Sequence, residues 1–140
     1  MSEEKQERKR QLRLNNLNKD SFKIMNKLKS KNQARIQRKK RIRAKISGSA
    51  NQPRIAIFKS LKNIRVQAVD DIQGKTLVSA GTKESKLKDD VAGAKKLGKI
   101  LAEKCLKINI KEAVFDRSGY KFHGKIKALA EGAREGGLVF

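Results

Sequence analysis

The eleven positions from Phe115 to Lys125 read Phe115, Asp116, Arg117, Ser118, Gly119, Tyr120, Lys121, Phe122, His123, Gly124, Lys125. This mixture suits contact with irregular RNA. Rings can stack on unpaired bases, cations can sit on neighbouring phosphates, and glycines let the backbone turn tightly. Tyr120 or Phe122 could instead close the end of an apolar core, a tyrosine hydroxyl favouring a wet edge. His123 is the only histidine. With Cys105 and Asp116 it could form a nucleophilic site in which imidazole activates the thiol and the carboxylate orients the ring. The spacing favours a simpler reading. Cys105 falls on an apolar helical stripe, where a free thiol acts as a small inert hydrophobe, and His123 then hydrogen-bonds RNA or the loop backbone.

The acidic pairs Asp70, Asp71 and Asp89, Asp90, and Asp116 as a further candidate, raise a magnesium-dependent nuclease as another possibility. Acids in a turn and at a helix N-cap account for the same residues without a metal. There is no complete phosphate loop, no dinucleotide fingerprint and no aromatic signature of an RNA recognition motif. One cysteine supplies neither a disulfide nor a zinc-binding thiolate set. The expectation is therefore a protein with no catalytic residue, metal, cofactor or small-molecule substrate.

The elements that must present the loop are set in a chain of 140 residues carrying 36 basic and 14 acidic side chains, a formal charge of +22. A small domain with that charge repels itself and calls for a polyanion. From Ser21 to Ala50 the basic residues are Lys23, Lys27, Lys29, Lys31, Arg35, Arg38, Lys39, Lys40, Arg41, Arg43 and Lys45, with no Asp or Glu. Such runs can be solvated surface, but thirty positions without an acid favour phosphate binding. Ile24 and Leu28, then Ile42 and Ile46, stand at i, i+4 spacing, so the segment could be helical without burying enough to fold alone. The first twenty residues read as a mixed-charge, frayed helical extension. No run approaches the roughly 20 apolar residues of a membrane-spanning helix, and the acidic start argues against a targeting peptide. A cytoplasmic protein with no membrane partner is expected.

Ser47 to Pro53 is a punctuated stretch in which Gly48 could cap a preceding helix. The predicted organisation is an extension over 1–30, a basic RNA-binding arm and linker over 31–52, and an α/β domain over 53–140. Beyond Pro53 the hydrophobic period becomes two, through Ile55–Phe58, Ile64–Val69 and Thr76–Ser79, which predicts a three-stranded antiparallel meander. A helix over Lys86–Leu106 follows. Asp89 or Asp90 would be its N-cap, and Val91, Ala94, Leu97, Leu101, Cys105 and Ile108 its buried face. A short strand at Ala113–Phe115 and a last helix through Ile126, Leu129, Ala130 and Ala133, ending at Gly136 and Gly137, complete the order. The helix between the meander and the fourth strand can act as a right-handed crossover and make that strand parallel to its neighbour. The fold class is α/β: a mixed sheet of three antiparallel strands plus one parallel strand, packed with two helices.

Several blocks resemble the bacterial-type family of the eighteenth large-subunit ribosomal protein. They are Pro53–Ser60, Asn63–Ala68, Asp70–Asp71, Gly74–Leu77, Phe115–Ala130 and Arg134–Leu138 with the terminal Phe140. The resemblance, with the basic segment from about Asn32 to Gly48, implies a ribonuclease-H-like domain without nuclease activity and a basic helical N-terminal arm. It implies binding to 5S rRNA and its attachment to large-subunit rRNA in the central protuberance, beside neighbouring large-subunit ribosomal proteins. The RNA contacts expected are Arg35, Arg38, Lys39, Lys40, Arg41 and Arg43 in the arm, Arg54, Lys59, Ser60 and Asn63 around the hairpin, and Arg117, Tyr120, His123, Gly124 and Lys125 in the loop. Two features depart from the family pattern. Ser118 stands where glycine is common, and residues 1–30 precede the usual start, where continuing lysines suggest an auxiliary RNA contact. The alternative is a sequence-tolerant, nucleoid-type DNA-binding protein, for which the arm alone would suffice.

Overall fold

The structure, a computed structural model, describes residues 3–140. Helix α1 (Glu3–Arg43) contains no glycine or proline, has Glu3 and Glu4 in its first turn and places Lys40, Arg41 and Arg43 in its last. That charge order complements the helix dipole at both ends. None of its described residues is buried. Two compact units are distinguished, one ending at Ile36 and the other running Gln37–Phe140.

The second unit holds strands β1 (Arg54–Lys59), β2 (Ile64–Asp70), β3 (Lys75–Gly81) and β4 (Val114–Asp116), with helices α2 (Val91–Lys107) and α3 (Lys125–Glu135). The sheet order is β3-β2-β1-β4. β1 is antiparallel to β2, β2 is antiparallel to β3, and β4 is parallel to β1. The predicted fold class is therefore confirmed, with α2 as the crossover that brings β4 alongside β1. Alternation does the sorting: Ile55, Ile57, Ile64, Val66 and Ala68 point into the core, while Phe58, Arg65 and Gln67 are exposed on the other face. The Ser60–Asn63 turn closes on itself, the Ser60 hydroxyl accepting the Asn63 N–H at 3.0 Å. Gly74 takes φ 65°, a left-handed turn position.

Helix α2 begins one residue after its N-cap Asp90, whose Oδ1 accepts the Gly93 N–H at 2.6 Å. Ala94, Leu97, Leu101 and Cys105 form the buried face as predicted, but Val91 and Ile108 are 54% and 48% exposed. Both lie at the helix ends, where the backbone leaves the sheet before a side chain can be covered. The expected helix start at Lys86 is corrected as well, since Lys86 has φ 53° in the turn before the cap. Gly48 is not a helix cap, because α1 already ends at Arg43. It is buried where a Cβ would collide with the Arg54 amide and the Val69 carbonyl, so the chain entering β1 can lie directly on the sheet.

Helix α3 packs on α2 through glycine. A Cβ on Gly98 would meet the Leu129 carbonyl, and one on Gly132 would meet the Lys95 carbonyl. The backbones therefore approach closely, and Ile126, Leu129 and Ala133 join the core shared by α2 and the sheet. The chain end is tied down: Phe140 stacks on Phe115 at 5.3 Å between centroids, and Arg134 lies 4.7 Å over the Phe140 ring.

Candidate nucleic-acid interface

On the side away from β2, the short β4 pairs with β1 only at Arg54–Ala56, and the loop after β4 supplies side chains along the rest of that edge. The Ile57 N–H donates to the Ser118 hydroxyl at 3.2 Å. The Tyr120 hydroxyl accepts the Lys59 N–H and donates to the Lys59 carbonyl, both at 3.1 Å. Ser118 holds φ 54° and Gly119 φ 77°, which is why glycine suits both positions; Ser118 takes the strained conformation and its hydroxyl caps the strand edge. Tyr120 is thus built into the sheet edge by its hydroxyl, with its ring packed against the core cluster. Phe122 is 44% exposed and meets Phe115 edge-on at 6.0 Å.

Beneath the loop lies a cluster of opposite charges. Arg54 is 7% exposed, and its guanidinium donates from Nε and Nη2 to both oxygens of Asp71 at 2.8 Å and from Nη1 to Asp116 at 2.9 Å. Arg43, at the end of α1, lies 3.5 Å from the same oxygen of fully buried Asp116. Asp116 also accepts the Ser118 N–H at 2.7 Å, and Asp71 accepts the Gly48 N–H at 2.8 Å. One network therefore joins the end of α1, the linker, β1, β4 and the loop. Arg38 adds a further tie, its Nε donating to the Gly119 carbonyl at 3.1 Å.

The Arg54 guanidinium, hydrogen-bonded to Asp71, holds that carboxyl well below the ordinary value of 3.8, at about 2. A depressed carboxyl stabilises the fold above its unfolded value, and the contribution is lost as pH falls from 3.8 toward about 2. Asp71→Asn should therefore cost about 1 kcal/mol at neutral pH, after allowing for screening by solvent at this partly exposed pair. The difference from the parent should vanish at the acid end of that window. Urea midpoints across the acid range would check this, and a gap that persisted there would assign the loss to shape rather than charge.

Around this braced cluster the cations face outward. Arg38, Arg41, Lys45 and Arg117, with Ile42 and Ala44, line an open cleft of about 590 Å³. Arg117 is oriented by donating to the Tyr120 carbonyl at 3.2 Å. Lys40, Lys59 and His123 are exposed, and Lys39 is half-buried. The other expected contacts are placed differently. Arg54 is turned inward, Ser60 and Asn63 hold the hairpin turn, and Lys125 pairs with Asp89 at 3.0 Å. Gly124 starts α3 with φ 57°, and Arg35 lies outside the unit that carries the cleft.

Phe58 went unnoticed within the apolar run of β1. It is 57% exposed and stands directly across from Arg65 on the face of the sheet away from the core. The strict alternation Ile55, Ala56, Ile57, Phe58 already put this ring in the outward register.

The carboxylates that suggested a nuclease have other work. Asp70 Oδ1 accepts the Ile72 and Gln73 N–H groups, and Asp71 and Asp116 hold Arg54. No three His, Cys, Asp or Glu side chains cluster as metal ligands among the described residues. Cys105 is fully buried, and burial pushes its thiol up, away from the nucleophilic thiolate. No described helix is long and apolar enough to cross a membrane.

Fold and surface together define an α/β protein with a cationic cleft beside a network in which buried Asp116 and partly exposed Asp71 hold Arg54. The family model for ribosomal L18 of archaea, bacteria, mitochondria and chloroplasts matches residues 29–140. The large ribosomal subunit protein uL18 of Lactobacillus johnsonii is 51% identical over 113 residues, covering 79% of this chain and 95% of that one. The uL18 of Ruminiclostridium cellulolyticum is 48% identical over 117 residues, 79% and 96% of the two chains. That of Thermotoga neapolitana is 43% identical over 122 residues, 83% and 100%. The chain belongs to the ribosomal L18 family, and it is a structural ribosomal protein rather than an enzyme.

Proposed function

We propose that this protein is a constituent of the large ribosomal subunit in the cytoplasm, that it binds 5S rRNA, and that it helps attach 5S rRNA to large-subunit rRNA in the central protuberance. The observation that carries the reading is the cleft lined by Arg38, Arg41, Lys45 and Arg117. Its walls come from the end of α1 and from the loop after β4, and the Arg43–Asp116–Arg54–Asp71 network holds the two together. Cations fixed before binding lose less freedom on meeting phosphates than cations on a loose tail. In this reading they supply affinity and register, while selectivity comes from rings. Phe58 beside Arg65 offers a stacking surface for an unpaired base on the open sheet face. Arg54 contributes indirectly, by positioning the loop rather than by touching RNA.

The test is equilibrium binding of the full chain to 5S rRNA, transfer RNA and duplex DNA across a salt series. Strong preference for 5S rRNA at physiological salt is expected. Arg41→Gln with Lys45→Gln should weaken binding to all three and reduce the slope of log affinity against log salt by about 2. Phe58→Ala should cost about 1–3 kcal/mol on 5S rRNA and much less on duplex DNA, which offers no unstacked base. Equal binding of the parent chain to the three nucleic acids would favour a sequence-tolerant DNA or RNA compactor instead.

A further inference from the structure

The ribosomal assignment leaves one part of α1 without a role. The family model begins at residue 29, and the helix ahead of it carries apolar side chains with nothing against them. Leu14, Leu17, Ile24, Met25 and Leu28 are between 46% and 63% exposed. At about 100° per residue these five fall, with Ser21, within one sector about 100° wide and about 21 Å long. No other residue between 14 and 28 falls in that sector. Arg10 and Arg13 border it at one end, Lys31 at the other, and Lys27 and Lys29 at its sides, with Asp20 the one acid beside it. An auxiliary RNA contact would account for the lysines but not for the stripe, since the backbone of an RNA helix is charged and hydroxyl-rich and offers no continuous apolar groove of that length.

We propose that this stripe docks, as an amphipathic helix, into an apolar groove rimmed by Asp and Glu on a neighbouring protein of the large subunit. The inference rests on the ribosomal reading above. The dimensions suit helix-in-groove recognition, with Leu14, Leu17, Ile24, Met25 and Leu28, at i, i+3, i+10, i+11 and i+14, as anchors on one face and Ser21 filling the turn between them. Charge selects the partner. Residues 3–36 carry 11 basic and 4 acidic side chains, a net charge of +7, so a second copy would be repelled. Two heptads of seam also fall short of the three or four that a coiled coil needs. A lipid surface is disfavoured by position. Ten residues separate Leu28 from Arg38 of the cleft, and even fully extended they reach no further than about 36 Å, which keeps the stripe on the ribonucleoprotein.

The experiment places a photoreactive phenylalanine analogue at Leu17 or at Ile24 of the full chain and assembles it into large subunits. Cross-linked material is then digested and identified by mass spectrometry. The expected result is cross-linking to one defined protein surface containing apolar residues flanked by Asp or Glu. Leu14→Glu with Leu28→Glu, which keeps good helix formers in place, should reduce that product at least about tenfold, a loss of about 1.4 kcal/mol. The same variant should still enter the subunit. Cross-links to rRNA alone, or none, would overturn the proposal, as would sedimentation of the chain with phosphatidylserine-containing vesicles that the variant abolishes. Concentration-dependent dimers lost in the variant would instead assign the stripe to self-association. If the parent chain fails to enter large subunits, the ribosomal reading fails first and the docking inference falls with it.

Discussion

Asp116→Ala should destabilise the Gln37–Phe140 unit by about 3–5 kcal/mol, a large share of the stability of a domain this size. The carboxylate is fully buried and accepts from Arg54 at 2.9 Å and from the Ser118 N–H at 2.7 Å, with Arg43 at 3.5 Å. Removing it leaves the inward-turned Arg54 with Asp71 as its carboxylate partner, and takes from the buried Ser118 N–H an acceptor at 2.7 Å. The loss comes from buried donors on Arg54 and Ser118 that give up a charged partner while staying out of water, rather than from attraction in the parent. A triple variant with Arg54→Met, Asp71→Asn and Asp116→Leu should therefore recover much of it. Urea unfolding monitored by circular dichroism would measure both. If the single variant lost less than about 1 kcal/mol, Asp116 would not hold that network together. On the proposed function, the same variant should also weaken 5S rRNA binding where it remains folded, because the loop that carries Arg117 would no longer be pinned to β1.

Gly132→Ala is expected to cost about 3 kcal/mol or more, although alanine is the better helix former by nearly 1 kcal/mol. Propensity predicts a gain and packing predicts a loss, so the sign of the change separates the two. The new methyl would overlap the Lys95 carbonyl, a backbone group that cannot rotate away. Helix α3 would have to lift from α2, loosening Leu129 and Ala133 from the core. Gly74→Ala is the comparison. No atom lies within 4 Å of a Cβ built there, so only the φ of 65° opposes the change, and the cost should be about 1 kcal/mol. A Gly132→Ala protein as stable as the parent would mean that the two helices slide apart freely.

Local regularity made much of the fold legible. Alternation through Ile55, Ile57, Ile64, Val66 and Ala68 identified a sheet with one buried face, because a strand's period of two forces that pattern when only one face meets the core. The stripe Ala94, Leu97, Leu101, Cys105 identified the helix that covers it, and the acid at its start identified the cap. Prediction failed at the ends. Val91 and Ile108 fit the helical period but lie where coverage runs out, and the position of Gly48 suggests a helix cap whereas its need for a missing Cβ comes from Val69 and Arg54.

What the sequence determined by itself, then, is the order and type of the elements, the large excess of positive charge, and the family resemblance carried by blocks such as Phe115–Ala130. These follow from short-range period, composition and motif, all of which are properties of a linear string. What only the tertiary structure decided is the division of labour among the cations. Arg54 and Arg41 look alike in the sequence. One is buried against carboxylates 17 and 62 positions away, while the other is left on the cleft wall. Which guanidinium meets a carboxylate and which meets solvent depends on strand register and on the approach of the linker at Gly48, and no local pattern encodes either.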